Sequence, residues 1–145
     1  MPGREERAVA MMDAGANCAQ AVLGVFCREL GLEKGSALRI SSGFGAGMGR
    51  RQEVCGAVTG AVMAIGLKYG SADPGDREAK ETVYRLTREL MSRFQAEFGS
   101  CLCRELLGCD LQTDEGRKQY EEKGLGTEVC RPCVRGAVRF LEKIL

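Results

Sequence analysis

From Val54 to Leu67 the chain runs through 14 consecutive uncharged residues, VCGAVTGAVMAIGL. That is too short for a bilayer-spanning helix, which needs about 20 apolar residues, so the run reads as a helix buried inside a folded domain. Gly56, Gly60 and Ala64 recur every four residues and form one stripe on that helix. Each glycine costs about 1 kcal/mol in helix propensity, a loss offset when a second backbone comes close to the small face. The chain must therefore fold so that another helix lies on this stripe.

The remaining pattern is helical, with no sustained strand alternation, and predicts a compact all-α bundle of about six helices forming one domain over residues 1–145. A first helix is expected from about Glu5 to Ala14. Asn17 is a good N-cap for a second, on which Cys18, Val22, Val25, Phe26 and Leu30 share a face and Gly31 provides a stop. A short helix in SALRISSGF precedes the loop GFGAGMG, and the small-residue helix is expected from about Arg51 to Tyr69. The longest helix follows from about Gly75 to Phe98, with Val83, Leu86, Leu90, Phe94 and Phe98 on one side. Residues 100–112 read as irregular, with room for one helical turn. Thr113 caps a short helix to about Lys123, and Thr127 opens the last one. On that helix Cys130, Val134, Ala137, Leu141 and Ile144 alternate in steps of four and three, a seam that serves either a homodimer or internal packing.

Charge is nearly balanced, with Lys+Arg 21 against Asp+Glu 20, so no bulk field selects nucleic acid or a membrane surface, and neither is expected as a partner. The N-terminal residues contain no continuous apolar segment of the secretory kind, which gives a cytoplasmic expectation. There, 8 cysteines point to metal, cluster or thiol chemistry more than to structural disulfides. The count of 0 histidines removes imidazole as ligand, base or haem axial group, and any site must be built from thiolates, carboxylates, backbone and Arg or Lys.

Four cysteines fall at or near expected helix N-termini: Cys18, Cys55, Cys103 and Cys130. Unpaired N–H groups and the helix dipole favour thiolate there, and Arg50, Arg51, Arg104 and Arg131 add positive charge nearby. The competing interpretation is that free cysteine packs as a small hydrophobe. It holds for Cys27, off the main apolar stripe, while Cys109 reads as a loop substitution. Two local pairs add redox candidates, Cys130 with Cys133 in CRPC and Cys101 with Cys103 in CLC. Neither lies in a thioredoxin-like βαβ context, and neither gives a zinc-ribbon or ferredoxin spacing. Gly43, Gly45, Gly47 and Gly49 alternate strictly, so no nucleotide-binding glycine motif arises and no nucleotide cofactor is expected. The glycines Gly45, Gly47, Gly49, Gly56 and Gly60 are instead expected to shape a site by letting segments around Cys55 approach.

NCAQAVL, the glycine loop, CGAVTG as a CGAxxG motif, FGSCLCRELLG and VCRPCVRGAVRFLEKIL together make the chain resemble, end to end, the C-GCAxxG-C-C family of redox-active proteins. The resemblance carries the family's four recurring cysteines onto Cys18, Cys55, Cys103 and Cys130, with Cys27, Cys101, Cys109 and Cys133 as extras. A similar domain accompanies split-Soret cytochromes c, which implies an electron-transfer setting and a redox partner protein. This chain lacks a C-x-x-C-H attachment site and would carry no haem. The resulting expectation is that the four thiols converge on an iron-sulfur cluster or metal ion. A metal-free dithiol couple and a structural or interaction module stand as the alternatives.

Overall fold

The small-residue run forms a helix over Gly56–Tyr69, and its glycine face is covered by the helix Cys18–Gly24. A Cβ on Gly60 would stand 2.8 Å from the Ala19 carbonyl oxygen, and one on Gly56 would stand 3.1 Å from the Cys18 Cβ. The expected close approach is this pair of helices. The computed structural model describes residues 2–145, which form eight helices and no strand. In chain order these are α1 (Arg4–Asp13), α2 (Cys18–Gly24), α3 (Lys34–Ser41), α4 (Gly56–Tyr69), α5 (Arg77–Phe98), α6 (Cys103–Leu107), α7 (Asp114–Glu122) and α8 (Arg131–Ile144). No helix among the described residues is long and apolar enough to cross a membrane.

Local chemistry accounts for the ends. Asn17 caps α2 through a reciprocal box, its side chain accepting from the Gln20 amide at 2.9 Å while its own amide donates to the Gln20 side chain at 2.9 Å. Asp76 caps α5 and Thr113 caps α7. Three boundaries differ from the sequence expectation. The α2 helix stops at Gly24 rather than Gly31, at a residue of low helix propensity pressed beneath Met11, and residues 25–31 continue as linked turns. The α4 helix starts at Gly56 rather than Arg51, because the backbone before it is committed elsewhere. Cys55 N–H donates to Cys101 O at 2.8 Å and Cys103 N–H to Glu53 O at 2.7 Å around an antiparallel bridge between Val54 and Leu102. The last helix is entered through a π-helical turn, Gly126–Cys130, just before Pro132, which has no N–H to give an α-helical ladder.

The loop ahead of Cys55 is a left-handed turn. Ala46, Gly47, Met48, Gly49 and Arg50 all have positive φ, as does Gln52. For side-chain-bearing residues that geometry costs roughly 1–2 kcal/mol each, so the surroundings must enforce it. Glu53 N–H donates back to Gly47 O at 2.9 Å and Gln52 N–H to Ala46 O at 3.1 Å. Only glycine fits at position 47, where a Cβ would sit 2.6 Å from the Gln52 Cα and 2.8 Å from the Cys103 Cβ. The buried Gln52 amide then ties the turn to the next loop, donating to Cys109 O at 2.7 Å and accepting from Leu111 N–H at 2.8 Å.

Two apolar clusters result. The larger is the bundle core, where α8 contributes Val134, Ala137, Val138 and Leu141 and α5 contributes Leu86, Leu90 and Phe94. The seam on α8 is thus occupied within the chain, its neighbours being α1, α2, α4 and α5. The smaller cluster has Cys103, Leu107 and Leu111 at its centre with Tyr120, Leu125 and Val129 around them. Two glycines of α4 separate close packing from propensity. Gly60→Val is expected to lower stability by about 1–3 kcal/mol through overpacking against α2. Gly66, which has nothing within 4 Å of where a methyl group would stand, should instead gain up to about 1 kcal/mol on Gly66→Ala. Urea unfolding of the two variants reads both signs.

Candidate functional site

Between the two clusters lies a cavity of about 360 Å³. Its wall includes Cys18, Cys55, Cys103, Cys130 and Cys133, with Tyr120 on the side of the smaller cluster. Cys18 is the first residue of α2, Cys55 is the N-cap of α4, and Cys130 and Cys133 flank the junction of the π-turn with α8. The α2–α4 contact brings the first two to the same end of the bundle. The left-handed turn presses Gly47 onto Cys103.

All eight cysteines are free thiols, and five of them, Cys18, Cys55, Cys103, Cys130 and Cys133, line the cavity. Four of them bias one another's protonation in twos, Cys18 with Cys130 and Cys55 with Cys133. Within the CRPC pair, Cys130 acts on Cys133 as a neighbouring charge. The CLC pair is divided: Cys103 lines the cavity, whereas Cys101 turns into the core and donates to Met91 O at 3.4 Å. Cys27 is fully buried and donates to Gly24 O at 3.4 Å, in keeping with its packing role. Cys109 stands in the loop whose carbonyl holds Gln52.

Each pair is electrostatically unequal. The contact with Cys18 holds the Cys130 thiol down at about 7 against the opposing effect of burial, with help from the Tyr120 hydroxyl at 3.8 Å and the Arg131 charge. Cys18 is pushed well above the ordinary thiol range, first because it keeps the proton it offers to Cys130 and then by burial. In the second pair Cys55 is lowered, first by Cys133 and then, against burial, by the Ala57 and Val58 N–H groups at the start of α4, although no direct cap bond forms. Cys133 is raised by that same contact and by burial. Cys103 is pushed up to about 12, chiefly by burial.

The expectation of thiolate at all four helix starts therefore needs correction. Cys55 and Cys130 fit it; Cys18 and Cys103 do not, because desolvation and neighbouring sulfur outweigh a helix end, and α6 has only five residues. Of the arginines, Arg131 acts on Cys130 and Arg50 lines the cavity, while Arg104 pairs with Glu53 at 2.6 Å. Among the glycines, Gly47 and Gly56 line the cavity. A Cβ on Gly45 would meet the Asn17 side chain at 2.7 Å; Gly49 only supplies the turn, with φ 58°, and Gly60 packs on α2. Tyr120 and Gln52 were not legible as site residues, since their partners lie 10 and 57–59 positions away.

Among the described residues no three His, Cys, Asp or Glu side chains are grouped so as to hold a metal ion. Fold and cavity together define an all-helical cysteine-rich protein, five of whose eight thiols line one cavity. The chain belongs to the family described as "Putative redox-active protein (C_GCAxxG_C_C)", whose model matches residues 16–144. No curated protein and no solved structure matches it significantly.

The inequality within the outer pair has a pH signature. Because Cys130 is lowered to about 7, its thiolate is present above that pH and lost below it. Iodoacetamide labelling mapped by mass spectrometry should rise through a midpoint near 7 at Cys130, with Cys18 unlabelled until far higher pH. Tyr120→Phe removes one stabilising hydrogen bond and should move the Cys130 midpoint upward.

Proposed function

We propose that this chain is a metal-free thiol–disulfide redox protein whose working couple is Cys18 with Cys130. One observation carries this: Cys18, Cys55, Cys130 and Cys133 line one cavity, in which Cys55 and Cys130 are shifted toward thiolate and Cys18 and Cys133 away from it. That is the division of labour a dithiol couple needs, an attacking thiolate and a resolving thiol. Cys130, half-buried and so within reach from outside, is the attacking group.

Atoms and electrons balance over two exchanges. The Cys130 thiolate attacks one sulfur of a substrate disulfide, forming a mixed disulfide and releasing a thiolate that takes up a proton. Cys18 then loses its proton and attacks Cys130 Sγ, and the second substrate sulfur leaves as a thiol. The substrate disulfide is reduced by two electrons and the Cys18–Cys130 dithiol is oxidised by two. The reverse sequence oxidises a substrate dithiol. A partner protein bearing a disulfide or dithiol fits this chemistry.

An iron-sulfur cluster or metal at Cys18, Cys55, Cys103 and Cys130 is the second reading, favoured by the fact that all four line one cavity. The all-sulfur donor set suits such a group, but no three of the described cysteines are grouped so as to hold a metal ion. The two readings separate in one preparation. Protein isolated without oxygen should contain no stoichiometric iron or zinc, and one equivalent of oxidised glutathione should consume two thiols reversibly. Stoichiometric metal that is lost on Cys55→Ser would reverse the order of the readings. Thiols that resist oxidation in metal-free protein would leave the cysteines a structural role.

A further inference from the structure

The outer couple leaves the second pair unexplained. Cys55 is 6% and Cys133 1% exposed, so a macromolecular partner cannot reach either sulfur. Yet they are not isolated. Cys133 follows Cys130 by three positions at the head of α8, where side chains three apart lie on the same face with Cβ atoms about 5–6 Å apart. Cys130 belongs to the outer pair and Cys133 to the inner one, and both line the same cavity. The C-x-x-C segment is thus a bridge between two pairs rather than a pair in itself.

Resting on the proposed dithiol chemistry, we infer that the four thiols form a relay, in which a disulfide made at Cys18 and Cys130 is passed through Cys130–Cys133 to Cys55 and Cys133. Each transfer is an internal exchange. Cys133, losing its proton, attacks Cys130 Sγ; the Cys18–Cys130 bond breaks, and Cys18 leaves as a thiolate and is protonated. Cys55 then attacks Cys133 Sγ, the Cys130–Cys133 bond breaks, and Cys130 leaves as a thiolate. Three bonds between sulfurs form in turn, and the first two break again, with no net oxidation after the first step. The disulfide now lies in the buried pair and the outer dithiol is restored for a second oxidising equivalent. The fully reduced protein can then give up four electrons, in twos, through one entrance.

Of the other thiols, Cys101 faces the core and Cys27 donates to Gly24 O, while Cys103 lines the same cavity but acts on Cys133 less strongly than Cys55 does.

The test is a titration of anaerobically reduced full-length protein with oxidised glutathione, quenched in acid with alkylation and mapped by mass spectrometry. One equivalent should end as Cys55–Cys133, with Cys130–Cys133 appearing transiently, and two equivalents should consume four thiols. Cys130→Ser removes the entrance and should slow formation of Cys55–Cys133 by at least tenfold. Cys133→Ala should leave Cys18–Cys130 formation intact and limit uptake to two thiols, with circular dichroism confirming the fold of both variants. Uptake stopping at two thiols in the unaltered protein, or Cys55–Cys133 forming at an unchanged rate in Cys130→Ser, overturns the relay while the outer couple stands. Failure of Cys18–Cys130 to form at all overturns the dithiol reading itself.

Discussion

Backbone against backbone, Gly56 and Gly60 on Ala19, is the contact from which the rest of the molecule follows. Any side chain at those two positions would push α2 off α4. Since Cys18 begins α2 and Cys55 caps α4, that displacement would also separate their sulfurs. Placing small residues at one end of a buried helix thus serves packing and chemistry together. The propensity lost by each glycine, about 1 kcal/mol, is recovered through contact area that only a missing Cβ permits.

A competition between two electrostatic effects decides which thiols are reactive. A helix N-terminus contributes typically about 0.3–1 kcal/mol in favour of an anion, less than the roughly 1.36 kcal/mol that one pKa unit represents. Burial moves a thiol by up to several units in the opposite direction. A helix start alone therefore cannot activate a buried cysteine, and Cys103 is the example, raised to about 12 despite opening α6. Cys130 comes out low because a neighbouring thiol, the Tyr120 hydroxyl and Arg131 add to one another. Reactivity here is a property of the group, so no single element confers it.

Much of the helical layout was legible because it rests on short-range signals: the Asn17 and Thr113 caps, the apolar face of α5 and the glycine stripe of α4 are all read within a few residues. The boundaries that moved did so under long-range forces. Residues 53–55 leave the expected helix because their backbone bonds go to residues 101–103, far along the chain, and no local pattern encodes that. The same limit applies at the site. Helix position picked out four cysteines that line the cavity, but no local pattern says which thiols bias one another's protonation, because Cys18 with Cys130 and Cys55 with Cys133 are far apart along the chain. Tyr120 illustrates the remainder: an aromatic residue on a short polar helix carries no mark of the sulfur it meets.

The cavity's two walls do not have equal strength. On one side stands the bundle core; on the other stands a cluster with only Cys103, Leu107 and Leu111 at its centre, held largely by the Gln52 amide, the Arg104–Glu53 pair and a single bridge. Segments with so few buried apolar contacts open at a free energy well below that of global unfolding. The amides of residues 102–112 are therefore expected to exchange with solvent hydrogen before those of α4 and α8. An opening on that side would widen the space beside Cys130 and leave Cys55 and Cys133 on α4 and α8, so the strength of one wall sets how easily the cavity can be entered.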